Sequence, residues 1–165
     1  MNDRPVFESW SGLAPHWERI RAAAGRVVFT NGCFDLLHAG HVAYLEEARS
    51  LGDFLFLGLN GDASVRRLKG ETRPILPFAE RAAILAGLRA VDLICGFEED
   101  TPLALIGHVQ PDYLVKGGDW RPEQIVGADL VLARGGRVES LRFKPGSSTT
   151  NIVATILARH ASLRD

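Results

Sequence analysis

Phe54-Leu55-Phe56-Leu57-Gly58-Leu59 is a run without one polar side chain, and few folds accept such a run. A strand with one wet face alternates apolar and polar residues, whereas one that is apolar throughout is covered on both faces. That is the pattern of an interior strand in a parallel sheet with helices on either side. The rest of the chain repeats the same unit. Val27–Thr30, Val91–Cys95, Tyr113–Val115 and Val138–Leu141 read as further short strands. Between them lie longer stretches with helical spacing. His41–Leu51 places Val42, Leu45 and Ala48 on one face, with Gly52 as its stop. Phe78–Leu88 follows Pro77, and Thr101-Pro102 opens a helix to about His108. Pro122 opens another, and Ser148–Arg159 is capped by Ser148 and apolar at Ile152, Val153, Ile156 and Leu157. The rhythm predicts an α/β fold, doubly wound, with a mostly parallel five-stranded sheet and helices on both faces.

At 165 residues the chain suits one domain. Residues 26–159 are expected to form its core and residues 1–25 a helical appendage. A net charge of −1 gives no general attraction to nucleic acid or to an anionic membrane. No stretch approaches the roughly 18 apolar residues of a membrane span, and residues 1–20 lack the apolar segment of a signal peptide. Cys33 and Cys95 lack metal-ligand spacing and read as small core residues of a reducing compartment. A cytoplasmic protein without a metal site of its own is expected.

In a doubly wound sheet, ligands bind where the strands end. The chain's most informative stretches fall there. Asn31-Gly32-Cys33-Phe34-Asp35 follows the first strand and runs into His38-Ala39-Gly40-His41 at a helix start. Unpaired amides and a partial positive charge make such a start favourable for phosphate. Residues 38 and 41 share one face of the turn, and Gly40 adds no side chain between them. Asn60-Gly61-Asp62 follows the second strand and Lys116-Gly117-Gly118-Asp119-Trp120 the fourth. Gly146-Ser147-Ser148-Thr149-Thr150 precedes the last helix as a second phosphate cradle. The segment Gly61–Pro74 reads as a loop whose Arg66, Arg67, Lys69 and Arg73 can fold over a triphosphate. One reaction unites these parts: attack by a phosphate monoester on the α-phosphorus of a nucleoside triphosphate. Such a nucleophile has its second pKa at about 6 and needs no general base, so positioning and positive charge suffice. Asp35, Asp119 and the Asn60–Asp62 turn equally suit turn formation, and Trp120 suits packing as well as base stacking.

The run from Asn31 to His41 resembles the motif of the cytidylyltransferase-like nucleotidyltransferases, which share a Rossmann-like α/β fold and an H-x-G-H phosphate site. Within them it is most similar to the D-glycero-β-D-manno-heptose 1-phosphate adenylyltransferases. Leu68-Lys69-Gly70, Arg73-Pro74-Ile75, Glu80-Arg81, Phe97-Glu98-Glu99-Asp100-Thr101-Pro102, Val115–Asp119 and Ser148–Ile152 follow that group's order. The resemblance spans roughly Arg26 to Leu157. It implies that ATP and heptose 1-phosphate give ADP-heptose and pyrophosphate, for lipopolysaccharide or related surface glycans. On it, His38, His41 and Lys69 handle the phosphates. Cys33, Phe34, Gly40, Ser148, Thr149 and Thr150 hold ATP, and Asp35, Asn60, Asp62, Lys116 and Asp119 contact sugar phosphate or nucleotide. Mg²⁺ would arrive with the ATP. A separate heptose kinase and phosphatase would supply the acceptor, and a homodimer is one possible assembly.

Two alternatives stay open on sequence: another transfer such as glycerol-phosphate cytidylyltransfer, or a non-catalytic nucleotide-binding regulator. Glycerol-phosphate cytidylyltransferases carry R-T-E-G-I-S-T-T, but here Phe143 stands at the first position. Gly61 occupies a position where relatives commonly have serine.

Overall fold

The computed structural model describes residues 4–142 and 148–161, the last of these by its backbone alone. Six strands form one sheet: β1 (Val6–Phe7), β2 (Val27–Gly32), β3 (Phe54–Asn60), β4 (Leu93–Phe97), β5 (Tyr113–Gly117) and β6 (Arg137–Leu141). Their order is β1-β4-β3-β2-β5-β6, and every pairing is parallel. The sheet therefore has six strands, where five were expected. The extra one is β1, two residues long, joined to the edge of β4 in the register Val6 to Ile94 and Phe7 to Cys95. A two-residue strand has no alternation to read, and only its neighbour reveals it.

The helices are α1 (Trp10–Ala23), α2 (Ala39–Ser50), α3 (Asp62–Lys69), α4 (Phe78–Ala86), α5 (Leu103–Val109), α6 (Ala128–Ala133) and α7 (Thr149–Ala161), with a 3₁₀ turn at Pro122–Gln124. Leu13 and Trp17 of α1 pack with Leu105 and Ile106 of α5 and Val131 of α6 against Phe29 and Phe56. Tyr44, Leu45 and Ala48 of α2 join Ala82 and Leu85 of α4 against Val28, Leu55 and Leu57. Alternate residues of β2 and β3 thus face opposite layers, which is why the Phe54–Leu59 run needs no polar position.

Two local expectations are corrected. Gly61–Pro74 is not all loop, since its first part is α3. That helix exposes Arg66, Arg67 and Lys69 and buries only Ser64 and Val65, so it shows no apolar stripe. Gly52 follows the end of α2 as expected, but not as a left-handed cap, since its φ is not positive. A Cβ on Gly52 would lie 2.6 Å from the carbonyl oxygen of Arg26, so close approach of the chain to β2 is what requires glycine there.

Candidate active site

From β2 the chain connects successively to β3 and β4 on one side, whereas β5 and β6 lie on the other. The order reverses between β2 and β5, and a crevice opens at their carboxyl ends, as doubly wound topology dictates. The crevice is a cavity of about 610 Å³, within the range that takes a nucleotide-sized ligand. Asn31–Asp35, His41, Asn60, Lys69, Lys116, Thr149 and Thr150 are among the residues lining it.

The wall built from β2 depends on an unusual backbone. Phe34 adopts φ 44°, which turns its ring back so that a Cβ on Gly32 would lie 2.8 Å from it. The buried ring then meets His41 edge-on at 5.2 Å. His38 is the extended N-cap of α2, and its carbonyl accepts the His41 amide at 2.9 Å. The two imidazoles stack with centroids 3.8 Å apart and planes 20° from parallel. The Nδ1 atoms of both are buried and have no hydrogen-bond partner among the described residues. Orphaned buried polar atoms cost on the order of 1–3 kcal/mol each, a cost that a hydrogen-bonding partner would relieve. Burial, with the neighbouring His38 ring adding to it, holds the His41 pKa down to about 4. His41 is neutral at pH 7 and offers one N–H.

That depression has a consequence for stability. Between pH 6.5 and 4 the unfolded chain takes up the His41 proton and the folded chain does not. Folding stability is therefore expected to fall as pH drops through this window, and to keep the full contribution above pH 6.5. His41→Asn should flatten the slope, as urea melts at pH 7 and pH 5 would show.

Two lysines enter from other elements. Lys116, half-buried on β5, reaches Asn31 Oδ1 from Nζ at 3.4 Å. Burial lowers its pKa, and the Lys69 charge lowers it further. Lys69 stands exposed at the last position of α3, a helix fixed firmly at its other end. The Glu98 carboxylate accepts the Ser64 amide at 3.0 Å, Asn60 Nδ2 donates to Ser64 Oγ at 3.0 Å, and Arg81 pairs with Asp62 at 2.7 Å. Arg67 donates to Asp100 at 2.7 Å and also to the carbonyl of Glu98.

The same contacts account for Gly61. A Cβ there would overlap the Glu98 carboxylate, which does the capping that an N-cap side chain would otherwise do. Gly61→Ala should displace Glu98 and cost about 1 kcal/mol, the usual value of a lost cap. Gly61→Ser restores an oxygen at the helix start and should be close to neutral; thermal melts of the two variants compare them.

Other expected site residues have mixed placements. Asp35 is 3% exposed and is fully engaged by protein: Arg73 pairs with it, and the amides of Ile75 and Leu76 donate at 2.8 and 3.0 Å. Burial raises its pKa, but these hydrogen bonds and the Arg73 charge outweigh that and hold it below the usual carboxylate value. Asp35 thus fastens the 73–76 segment over the crevice. Asp62 points to Arg81, away from the lining. Asp119 has a 90% exposed side chain, 3.7 Å from Arg142, and does not line the cavity. Ser148 caps α7, its Oγ accepting the Asn151 amide at 3.1 Å. Thr149 and Thr150 face the cavity, and Thr149 Oγ1 donates to the carbonyl of Leu36 at 3.3 Å. Gly40 is buried in the first turn of α2. Gly146 and Ser147 of the expected cradle lie outside the described residues. Cys33 is no core residue: it follows β2, half-buried against the cavity, with its thiol pKa raised by burial. Cys95 is buried in β4 as expected.

The sequence assigned no site role to Thr101, Pro102, Gln124, Ile125 and Val126, which also line the cavity. Pro122 marked a helix start, but nothing local placed the residues after it at the crevice. Among the described residues, no three of His, Cys, Asp and Glu are grouped to hold a metal ion. Nor is any helix among them long and apolar enough to cross a membrane.

The cytidylyltransferase-like family model matches residues 29–154, from β2 through the first turns of α7. The chain belongs to the cytidylyltransferase-like family. Among its cytidylyltransferase-like relatives is bifunctional protein HldE of Pelobacter propionicus, 59% identical over 149 residues, or 90% of this chain and 30% of that protein. Bifunctional protein HldE of Geobacter metallireducens is 59% identical over 151 residues, 92% of this chain and 31% of its own length. The chain thus spans about a third of the length of these curated relatives. A lipopolysaccharide core biosynthesis protein from Thermoplasma volcanium superposes with a TM-score of 0.58 at 29% identity, covering 74% of this chain and 99% of that one. Pantoate-beta-alanine ligase from Francisella tularensis shares the fold at a TM-score of 0.60 and 14% identity, over 86% of this chain and 68% of its own.

Proposed function

We propose that this chain is an adenylyltransferase that joins ATP to D-glycero-β-D-manno-heptose 1-phosphate, giving ADP-heptose and pyrophosphate for lipopolysaccharide or related surface glycans. The observation that carries the reading is the stacked His38–His41 pair at the start of α2, with His41 lining the crevice and both Nδ1 atoms buried and unpartnered among the described residues. A phosphate oxygen of the sugar attacks the α-phosphorus, the bond from that phosphorus to the bridging oxygen breaks, and pyrophosphate leaves with the electron pair. The acceptor phosphate is already an anion and gives up no proton to a base. The chain's work is to place the two phosphates in line and to meet charge on the departing group. His41 donates its N–H there, Lys69 and Lys116 supply cationic charge, and α2 presents its first amides. Thr149 and Thr150 would hold the nucleotide at the start of α7.

Mg²⁺ fits this site only as a companion of the triphosphate, because the nearest buried carboxylate, Asp35, is committed to Arg73 and two amides. Bound to ATP, it would neutralise phosphate charge and keep most of its waters. Heptose 1-phosphate would come from a heptose kinase and a phosphatase, in the cytoplasm. Incubation with ATP or CTP, each with heptose 1-phosphate or glycerol 3-phosphate, tests the reading through pyrophosphate release. Release is expected with ATP and heptose 1-phosphate. Preference for CTP and glycerol 3-phosphate would assign the other transfer, and ATP binding without release from any acceptor would make the chain a regulator.

A further inference from the structure

At the opposite, amino-terminal edge of the sheet lies a second cavity of about 450 Å³. Arg26 just ahead of β2, Arg134 after α6 and Arg137 at the start of β6 line it, with Tyr113 between them in the sheet. The Arg26 guanidinium carbon lies 6.0 Å from the centre of the Tyr113 ring and that of Arg137 lies 5.8 Å from it. All three arginines are exposed, and none pairs with a carboxylate among the described residues. The acidic groups at hand are already used. Asp112 lines the cavity, but its carboxylate takes the Arg21 guanidinium at 2.9 Å and the Val27 amide at 2.7 Å. Asp53 accepts the Arg26 amide at 2.9 Å. Three guanidiniums from two stretches of chain share one concavity with a single carboxylate, Asp112, which Arg21 already engages, so an entering anion would meet cations that no described carboxylate pairs.

We propose that this cavity is a second anion site, taking a small ligand that carries two or more phosphoryl groups. Arginine offers paired N–H donors matched to phosphate oxygens. The shared tyrosine ring limits the freedom that Arg26 and Arg137 would lose on binding. The volume is that of a small-molecule pocket. Three separate cations suit a chain of phosphoryl groups better than one. The site is distinct from the crevice: the five residues of β5 separate them by about 15 Å, and no residue lines both.

Calorimetry of the full chain with inorganic tripolyphosphate at low salt tests this. The unmodified protein should bind two independent equivalents. Combined Arg26→Gln, Arg134→Gln and Arg137→Gln should leave one, and His41→Ala with Lys69→Ala should leave the other. Arg134→Gln alone, which removes no ring contact, should weaken the second equivalent about tenfold and so serves if the triple variant does not fold. Inorganic phosphate should bind there at least tenfold more weakly than tripolyphosphate. Tripolyphosphate binding that is indifferent to the arginine substitutions, whether one equivalent or two, would overturn the proposal; a single equivalent that they abolish would support it. Equal affinity for phosphate and tripolyphosphate would overturn its multiple-phosphoryl character. None of these results bears on pyrophosphate release, so this site and the adenylyltransfer reading fail separately.

Discussion

His41→Ala is expected to lower kcat about 10²–10³-fold while the KM for the sugar phosphate changes little. A donor that meets charge as it develops on a leaving group acts mainly in the transition state, and removing one typically costs roughly 3–4 kcal/mol there. His41 qualifies by its surroundings. It lines the crevice, it is neutral at pH 7 with its pKa near 4, and its Nδ1 has no partner among the described residues. His41→Asn keeps a donor at a similar reach and should retain more activity than His41→Ala. Equal losses would mean that the ring is needed for packing against Phe34 and His38 and not for donation. Steady-state rates of pyrophosphate release with varied sugar phosphate distinguish the two.

The second large effect is on the fold. Arg81→Ala should destabilise the protein by about 3 kcal/mol, because it removes a fully buried side chain and the donor to two carbonyls and a part-exposed carboxylate. The Arg81 side chain is fully buried and ties three segments together. It donates to the carbonyl of Cys33 at 2.6 Å and that of Leu76 at 3.0 Å, and pairs with Asp62 at 2.7 Å. Its guanidinium also lies 5.8 Å from the centre of the Phe78 ring. Alanine would leave two carbonyls and a carboxylate without their donor, in addition to a void. Arg81→Lys should recover part of the loss, since one ammonium cannot reach three acceptors in the guanidinium's geometry. Urea denaturation of the three proteins gives the comparison.

Arg81 also shows where the sequence stops being informative. The strands of the central sheet were legible because burial on both faces leaves continuous apolar runs, and β3 was read almost to its last residue. α2, α4, α5 and α7 were located to within about two residues by their apolar spacing and by Pro77, Pro102 and Ser148. α3 was not, because its eight residues carry three cations near the end and no apolar stripe. Its markers were subtler: Asp62 in the first turn, the cations in the last, and Gly70 beyond them at φ 98°. The H-x-G-H pair and the two lysines were visible because their residue types state their chemistry. The family resemblance implies ligand contacts for Asp35, Asp62 and Asp119, while the residues themselves equally suit turn formation. The partners that occupy Asp35 and Asp62, Arg73 and Arg81, are 38 and 19 residues away, and only the folded chain brings them together.

The most direct test of the account is a crystal structure of the protein with an ATP analogue that carries a methylene between the α- and β-phosphorus atoms. The account predicts the triphosphate in the crevice between β2 and β5, with phosphate oxygens at hydrogen-bond distance, about 2.7–3.2 Å, from the His38 and His41 rings. A nucleotide bound elsewhere, or phosphates turned away from both imidazoles, would contradict it.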